Sequence, residues 1–133
     1  MVSTRLTKDA GIEYPIICGA MYPCSNPELV AAASEGGGIA IVQPVSLTMV
    51  HGYNKPDTKE GLRASIRHIR TMTSSPIGFN ALIEKGSDKY LQRMSEWIDI
   101  ALRRCTDGGK ITFIHELYYM VIIENFSTNF LSS

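Results

Sequence analysis

Gly19-Ala20-Met21 is the first candidate for contact with a ligand in this 133-residue chain. It closes the short apolar run Pro15-Ile16-Ile17-Cys18. A strand that ends in small residues leaves backbone amides uncovered, and a flat ligand can lie on them. Gln43 follows Ile39-Ala40-Ile41-Val42, and Asn80 lies near the end of Ile77-Gly78-Phe79-Asn80-Ala81-Leu82. Both are polar residues at the carboxyl ends of apolar strands, where α/β folds place their ligands. Each has a plainer reading. Gly19-Ala20-Met21 can be a tight turn with Met21 in the core, and Asn80 can cap a turn through its own side chain.

The other chemically capable residues point less clearly to a site. His51 falls in the polar stretch after the second apolar run, on the same expected rim, so a substrate-side role is open to it. His68 shares a helix with Arg63, Arg67 and Arg70, which reads as a solvated face. His115-Glu116 lacks the second histidine of a zinc-binding helix and is given no chemistry. Cys18, Cys24 and Cys105 are odd in number and have no CxxC spacing. They suggest neither a disulfide framework nor a zinc site, and fit a reducing, intracellular setting. Gly36-Gly37-Gly38 follows a helix and precedes a strand, the reverse of a dinucleotide-binding loop.

The elements that must position these residues alternate. A strand over Pro15 to Cys18, read as buried on both faces, is followed by a helix from Pro27 to Glu35. Either Ser25 or Asn26 can cap that helix, Pro27 suits its first position, and the triple glycine ends it in a left-handed cap. A second strand, Ile39 to Val42, leads into a long polar loop through Asp57. The next helix, Lys59 to Met72, carries Leu62, Ile66, Ile69 and Met72 on one face. A third strand runs from Ile77 to Leu82, and a third helix from Asp88 to Arg103 has an apolar stripe with Trp97 beside it. A turn at Thr106 to Gly109 and a candidate fourth strand from Ile111 to Ile114 come next, Leu117 to Ile123 is apolar and aromatic, and Asn125 to Ser133 shows no clear period. The β-α-β-α-β-α order predicts parallel strands joined by right-handed crossovers. The length allows a small open sheet or the front half of a barrel, since a complete (β/α)8 barrel needs roughly 250 residues.

Composition narrows the partners. Lysine plus arginine (13) balances aspartate plus glutamate (13), so no global field attracts nucleic acid or an anionic membrane. No apolar run approaches the roughly 20 residues of a membrane span. The expected location is the cytoplasm.

Three motifs in order resemble the opening of the nitronate monooxygenase family, formerly 2-nitropropane dioxygenases. They are Glu13-Tyr14-Pro15-Ile16-Ile17 with Gly19-Ala20-Met21, then Asn26-Pro27-Glu28-Leu29-Val30-Ala31-Ala32 with Gly37-Gly38-Ile39, and Pro76-Ile77-Gly78-Phe79-Asn80. The resemblance covers residues 4 to 103 and is shared by related flavin-dependent enoyl reductases. It implies the N-terminal portion of a (β/α)8 TIM barrel, about three βα units, and FMN as cofactor. It further implies oxidation of alkyl nitronates by O2. By resemblance, the Gly19-Ala20-Met21 backbone meets the isoalloxazine ring, Asn80 hydrogen-bonds the flavin or its ribityl chain, and Gln43 joins them. No catalytic residue or metal ligand is assigned. The family's catalytic histidine and phosphate-binding loops belong to later strands.

The expectation is therefore a truncated barrel domain over residues 1–104 with a divergent tail over 105–133, weak or absent FMN retention, and self-association through an open barrel edge. A non-catalytic fragment serving as an interaction module is the alternative.

Overall fold

The computed structural model describes residues 2–81, 88–105, 111–116 and 121–123. The elements in chain order are α1 (Arg5–Ala10), β1 (Ile17–Cys18), α2 (Pro27–Glu35), β2 (Ile39–Val42), α3 (Pro44–Met49), α4 (Thr58–Met72), β3 (Ile77–Ala81), α5 (Asp88–Cys105), β4 (Ile111–Glu116) and β5 (Val121–Ile123). One sheet carries the strands in sequence order. The β1–β2, β2–β3 and β3–β4 pairs are parallel, and β5 is antiparallel to β4. This is the α/β order that the periodicity predicts. The expected turn at Thr106 to Gly109, Leu82 and the chain from 124 onward lie outside the described residues.

Side-chain alternation divides the sheet into two faces. Ala40, Val42, Ile77, Phe79 and Ala81 join the main core. Val30 of α2, Leu62, Ile66 and Ile69 of α4, and Met94, Trp97, Ile100 and Ala101 of α5 complete it. Trp97 is not beside the stripe, as the sequence suggests, but within the core at 1% exposure. Ile39 points the other way and packs against Ala10 and Ile12, so α1 and the segment after it cover that face at the amino end of β2. Each fully buried Leu, Ile or Phe removes enough apolar surface to contribute about 1.5–3 kcal/mol.

Two short helices depart from the expected pattern. In α1, Thr4 accepts from the Thr7 backbone while the Thr7 hydroxyl accepts from the Thr4 N–H. Gly11, with φ +66°, ends it. The segment after Gln43 is not a continuous loop, because Pro44 stands at the first position of α3 and needs no hydrogen bond for its nitrogen.

The first strand is also corrected. Ile16 is 62% and Ile17 46% exposed, because β1 is two residues long and sits at the sheet edge with β2 alone beside it among the described strands. Asn26, not Ser25, caps α2, its Oδ1 accepting from the Leu29 N–H at 2.7 Å. The cap glycine Gly36 keeps φ −67°, and the left-handed residue is Gly37 at φ +89°. A Cβ on Gly37 would also lie 2.8 Å from the Tyr14 ring. Asp57 caps α4 by accepting from the Lys59 and Glu60 N–H groups, both at 2.8 Å. On the arginine-bearing face of α4, Arg63 and Arg67 pair with Glu60, whereas Arg70 reaches back to the Ser75 carbonyl at 2.7 Å. Met72, expected on the apolar face, is exposed.

Candidate functional site at the carboxyl rim of the sheet

Parallel pairing gathers the predicted site residues at one end of the sheet. Val42 is the register partner of Phe79, so Gln43 and Asn80 fall side by side one residue later. Phe79 and Ala81 enter the helix-covered core, which turns Asn80 to the opposite face. There the Asn80 Nδ2–H donates to Gln43 Oε1 at 2.7 Å. Both side chains are buried, Gln43 at 7% and Asn80 at 1% exposure. Gln43 precedes α3 without capping it by its side chain, which leaves the amide for this bond. Among the described residues this is the side-chain bond that Gln43 makes, through its Oε1. A pair of neutral amides can bind and orient a polar ligand but cannot act as nucleophile or general base.

The Gly19-Ala20-Met21 segment enters the same rim, since Cys18 pairs with Ala40 and the chain continues toward the level of Gln43. Gly19 is exposed, and a Cβ built on it would meet nothing within 4 Å. Met21 does not pack in the core, being 43% exposed. Its amide is not uncovered as the sequence suggests. The Met21 N–H donates to Ser25 Oγ at 2.8 Å, and the Ser25 N–H returns a bond to the Met21 carbonyl at 2.7 Å. Ser25, read as a cap candidate, instead closes this loop.

His51 is partly buried and already bonded. Its Nε2 lies 2.8 Å from the Pro23 carbonyl, which also accepts from Ser46 Oγ at 2.9 Å. A carbonyl only accepts, so the proton is on Nε2. His68 is exposed, as expected, with the Tyr53 hydroxyl 2.6 Å from its Nδ1. Cys18 packs against the main core, and Cys24 is exposed. The β3–β4 register places His115 of β4 opposite Asn80, a position that no local sequence signal announces.

Among the carboxylates, the shifted titrations belong to helix ends rather than to the rim. Hydrogen bonds from the Thr73 and Ser75 hydroxyls lower the Glu35 pKa. The backbone N–H groups that Asp57 caps lower its own. Arg67 lowers Glu60. No group of His, Cys, Asp and Glu side chains suited to a metal occurs among the described residues, nor does a helix long and apolar enough to cross a membrane.

The nitronate monooxygenase family model matches residues 3–128. This chain belongs to the nitronate monooxygenase family. A probable nitronate monooxygenase of Staphylococcus aureus strain JH9 is 30% identical over 97 residues, which is 71% of this chain and 24% of the relative. The protein of strain Newman matches to the same extent. The chain thus spans about a quarter of the length of these curated relatives. Among solved structures, FabK from Thermotoga maritima aligns with a TM-score of 0.56 at 23% identity, over 87% of this chain and 37% of FabK. The M276A mutant of the same FabK gives 0.55 at 24% identity. The chain therefore has the fold of part of a TIM barrel.

Proposed function

We propose that the carboxyl rim of β1, β2 and β3 is one wall of an FMN pocket, and that the enzyme it belongs to oxidises alkyl nitronates with molecular oxygen. The observation that carries this reading is the buried Gln43–Asn80 amide pair beside the open space over Gly19. A flat heteroaromatic ring with hydrogen-bonding edges suits such a surface. The polar pair offers donors and acceptors without charge, and the glycine admits close approach. Gly19 and Ala20 would support the ring, while Gln43 and Asn80 would bind its polar edge or the ribityl chain. Met21 would contribute its side chain and not its N–H, which Ser25 occupies. FMN, when bound, supplies electron transfer between the nitronate and oxygen. The described residues of this chain hold and orient; none is assigned proton transfer. Family membership favours a nitronate as substrate.

The described rim offers contacts for the ring and the ribityl chain but no built phosphate cradle. Flavin should therefore bind the isolated chain weakly, and FMN and riboflavin should bind about equally, since phosphate usually gains its affinity from helix N-termini and loop amides. An NMR titration of the 15N-labelled chain is suited to such weak binding. Shifts concentrated at Gly19, Ala20 and the side-chain amides of Gln43 and Asn80 are expected. Gly19→Trp should fold, because the space is empty, and should abolish the shifts. Shifts confined to other regions, or none with flavin at millimolar concentration, would overturn the proposal. In a chain extended to the length of its relatives, oxygen consumption with ethyl nitronate or propionate nitronate tests the reaction.

A further inference from the structure

Two donors from the β2–α4 region converge on one carbonyl of the β1–α2 loop. Ser46 Oγ donates to the Pro23 carbonyl at 2.9 Å, and His51 Nε2–H donates to it at 2.8 Å. Ser46 is fully buried. A buried hydroxyl needs a partner, but a helical one commonly finds it in the preceding turn. Two other buried hydroxyls do so here. Thr48 Oγ1 donates to the Pro44 carbonyl and Ser65 Oγ to the Leu62 carbonyl, both at 2.8 Å. Ser46 sits in the same short helix as Thr48, yet it reaches 23 residues back along the chain. Its own carbonyl accepts from the Val50 and His51 N–H groups at 3.0 and 3.2 Å. Ser46 therefore holds the loop with its side chain and fixes the backbone of its fellow donor with its carbonyl.

The loop so held is the one that leaves Gly19-Ala20-Met21. The Met21–Ser25 pair of bonds closes it internally, and the Pro23 carbonyl is its attachment to the next βα connection. Gln43 begins that connection. We propose that Ser46 and His51 are positioning residues that lock the Gly19–Cys24 loop in register with Gln43 for the ligand. The ligand half of this inference rests on the flavin reading above; the clamp itself does not. Neither residue needs to touch the ligand. Preorganisation of this kind raises affinity by removing the ordering cost of the loop on binding.

The test uses the 15N-labelled chain with Ser46→Ala, His51→Ala and His51→Gln. The glutamine Nε2 stands in for the imidazole Nε2–H, so it should restore the bond. Hydrogen exchange at Met21 and Ser25, whose N–H groups are bonded within the loop, should rise about five- to tenfold in the two alanine variants, as expected for loss of one hydrogen bond, and return in His51→Gln. Exchange in α4 and β3 should stay unchanged, a pattern that general destabilisation does not give. Flavin affinity, read from the Gly19 shift, should fall by about the same factor and recover in His51→Gln. Unchanged loop exchange in both alanine variants would overturn the clamp. Faster loop exchange with unaltered flavin affinity would overturn the positioning role. A wild-type chain that binds no flavin while the exchange pattern holds would overturn the flavin reading and the ligand half, leaving the clamp supported. The histidine 15N spectrum should show Nε2 protonated in the neutral form; protonation on Nδ1 alone would also overturn the clamp.

Discussion

At the Asn80–Gln43 bond, the Gln43 carbonyl oxygen accepts from a buried amide, so removing Asn80 takes away the donor that satisfies it. Asn80→Ala should destabilise the chain by about 1–3 kcal/mol, the penalty for an unsatisfied buried polar group. A double-mutant cycle with Gln43→Ala should give a coupling of about 0.5–1.5 kcal/mol in urea unfolding. A coupling of zero would mean that the two amides do not rely on each other. Glu35 makes a different kind of contact, at the surface. Its carboxylate accepts from Thr73 Oγ1 and, at 3.0 Å, from Ser75 Oγ, tying the end of α2 to the turn before β3. These bonds favour the charged form, and the Thr73 bond is the main cause of its lowered pKa. A carboxyl with a depressed folded pKa stabilises above its ordinary value of 4.5 and loses that contribution as pH falls through the folded value. NMR titration should place the Glu35 midpoint below 4.5, and Thr73→Ala should move it back up. An unchanged midpoint would show that the hydroxyl does not hold the carboxylate.

At the scale of the element, Gly61 of α4 sets local propensity against packing. Alanine in a helix interior gains about 1 kcal/mol over glycine. A Cβ on Gly61, however, would stand 1.6 Å from the Tyr53 carbonyl oxygen and 2.4 Å from its carbon. That obstacle is backbone, held by the Tyr53 N–H bond to the Leu47 carbonyl at 3.1 Å. Packing should win, and Gly61→Ala should cost about 3 kcal/mol or more in thermal or urea unfolding. Equal or higher stability would mean that the loop yields freely. Asp57→Ala at the start of the same helix should cost about 1 kcal/mol through the lost cap. Gly61 illustrates what the sequence hides, since its pattern gives α4 correctly but not the loop that crosses it. The helices α2, α4 and α5 are legible from caps and helical spacing, and β2 and β3 as continuous apolar runs between turn signals. The six-residue α1 and α3 are not, because they are too short for a period and their signals are local caps. The rim residues Gln43 and Asn80 are legible as polar strand ends. Their mutual bond is not, because register is a property of the pairing and not of either strand. Met21–Ser25 and Ser46–Pro23 are missed for the same reason, as each joins residues whose local roles look complete.

For the whole molecule, β1 is the weak boundary. Among the described strands only β2 pairs with it, and Tyr14, Ile16, Ile17, Met21 and Tyr22 are all exposed along this segment and the loop after it. An edge strand offers unpaired N–H and C=O groups, and apolar side chains beside them make pairing with another chain favourable. Parallel and antiparallel additions both satisfy the edge, so association need not reproduce a barrel. Sedimentation of the isolated chain should accordingly depend on concentration. Ile17 is 46% exposed, so covering it in an interface removes about half of an isoleucine side chain from water. Ile17→Lys should weaken association about tenfold, because it removes that gain and adds a charge that edge strands use to repel partners. The same substitution should leave the monomer nearly as stable, since the side chain is already half in solvent. Association unaffected by Ile17→Lys would place the contact elsewhere. Association lost together with monomer stability would mean that Ile17 supports the β1–β2 pair itself.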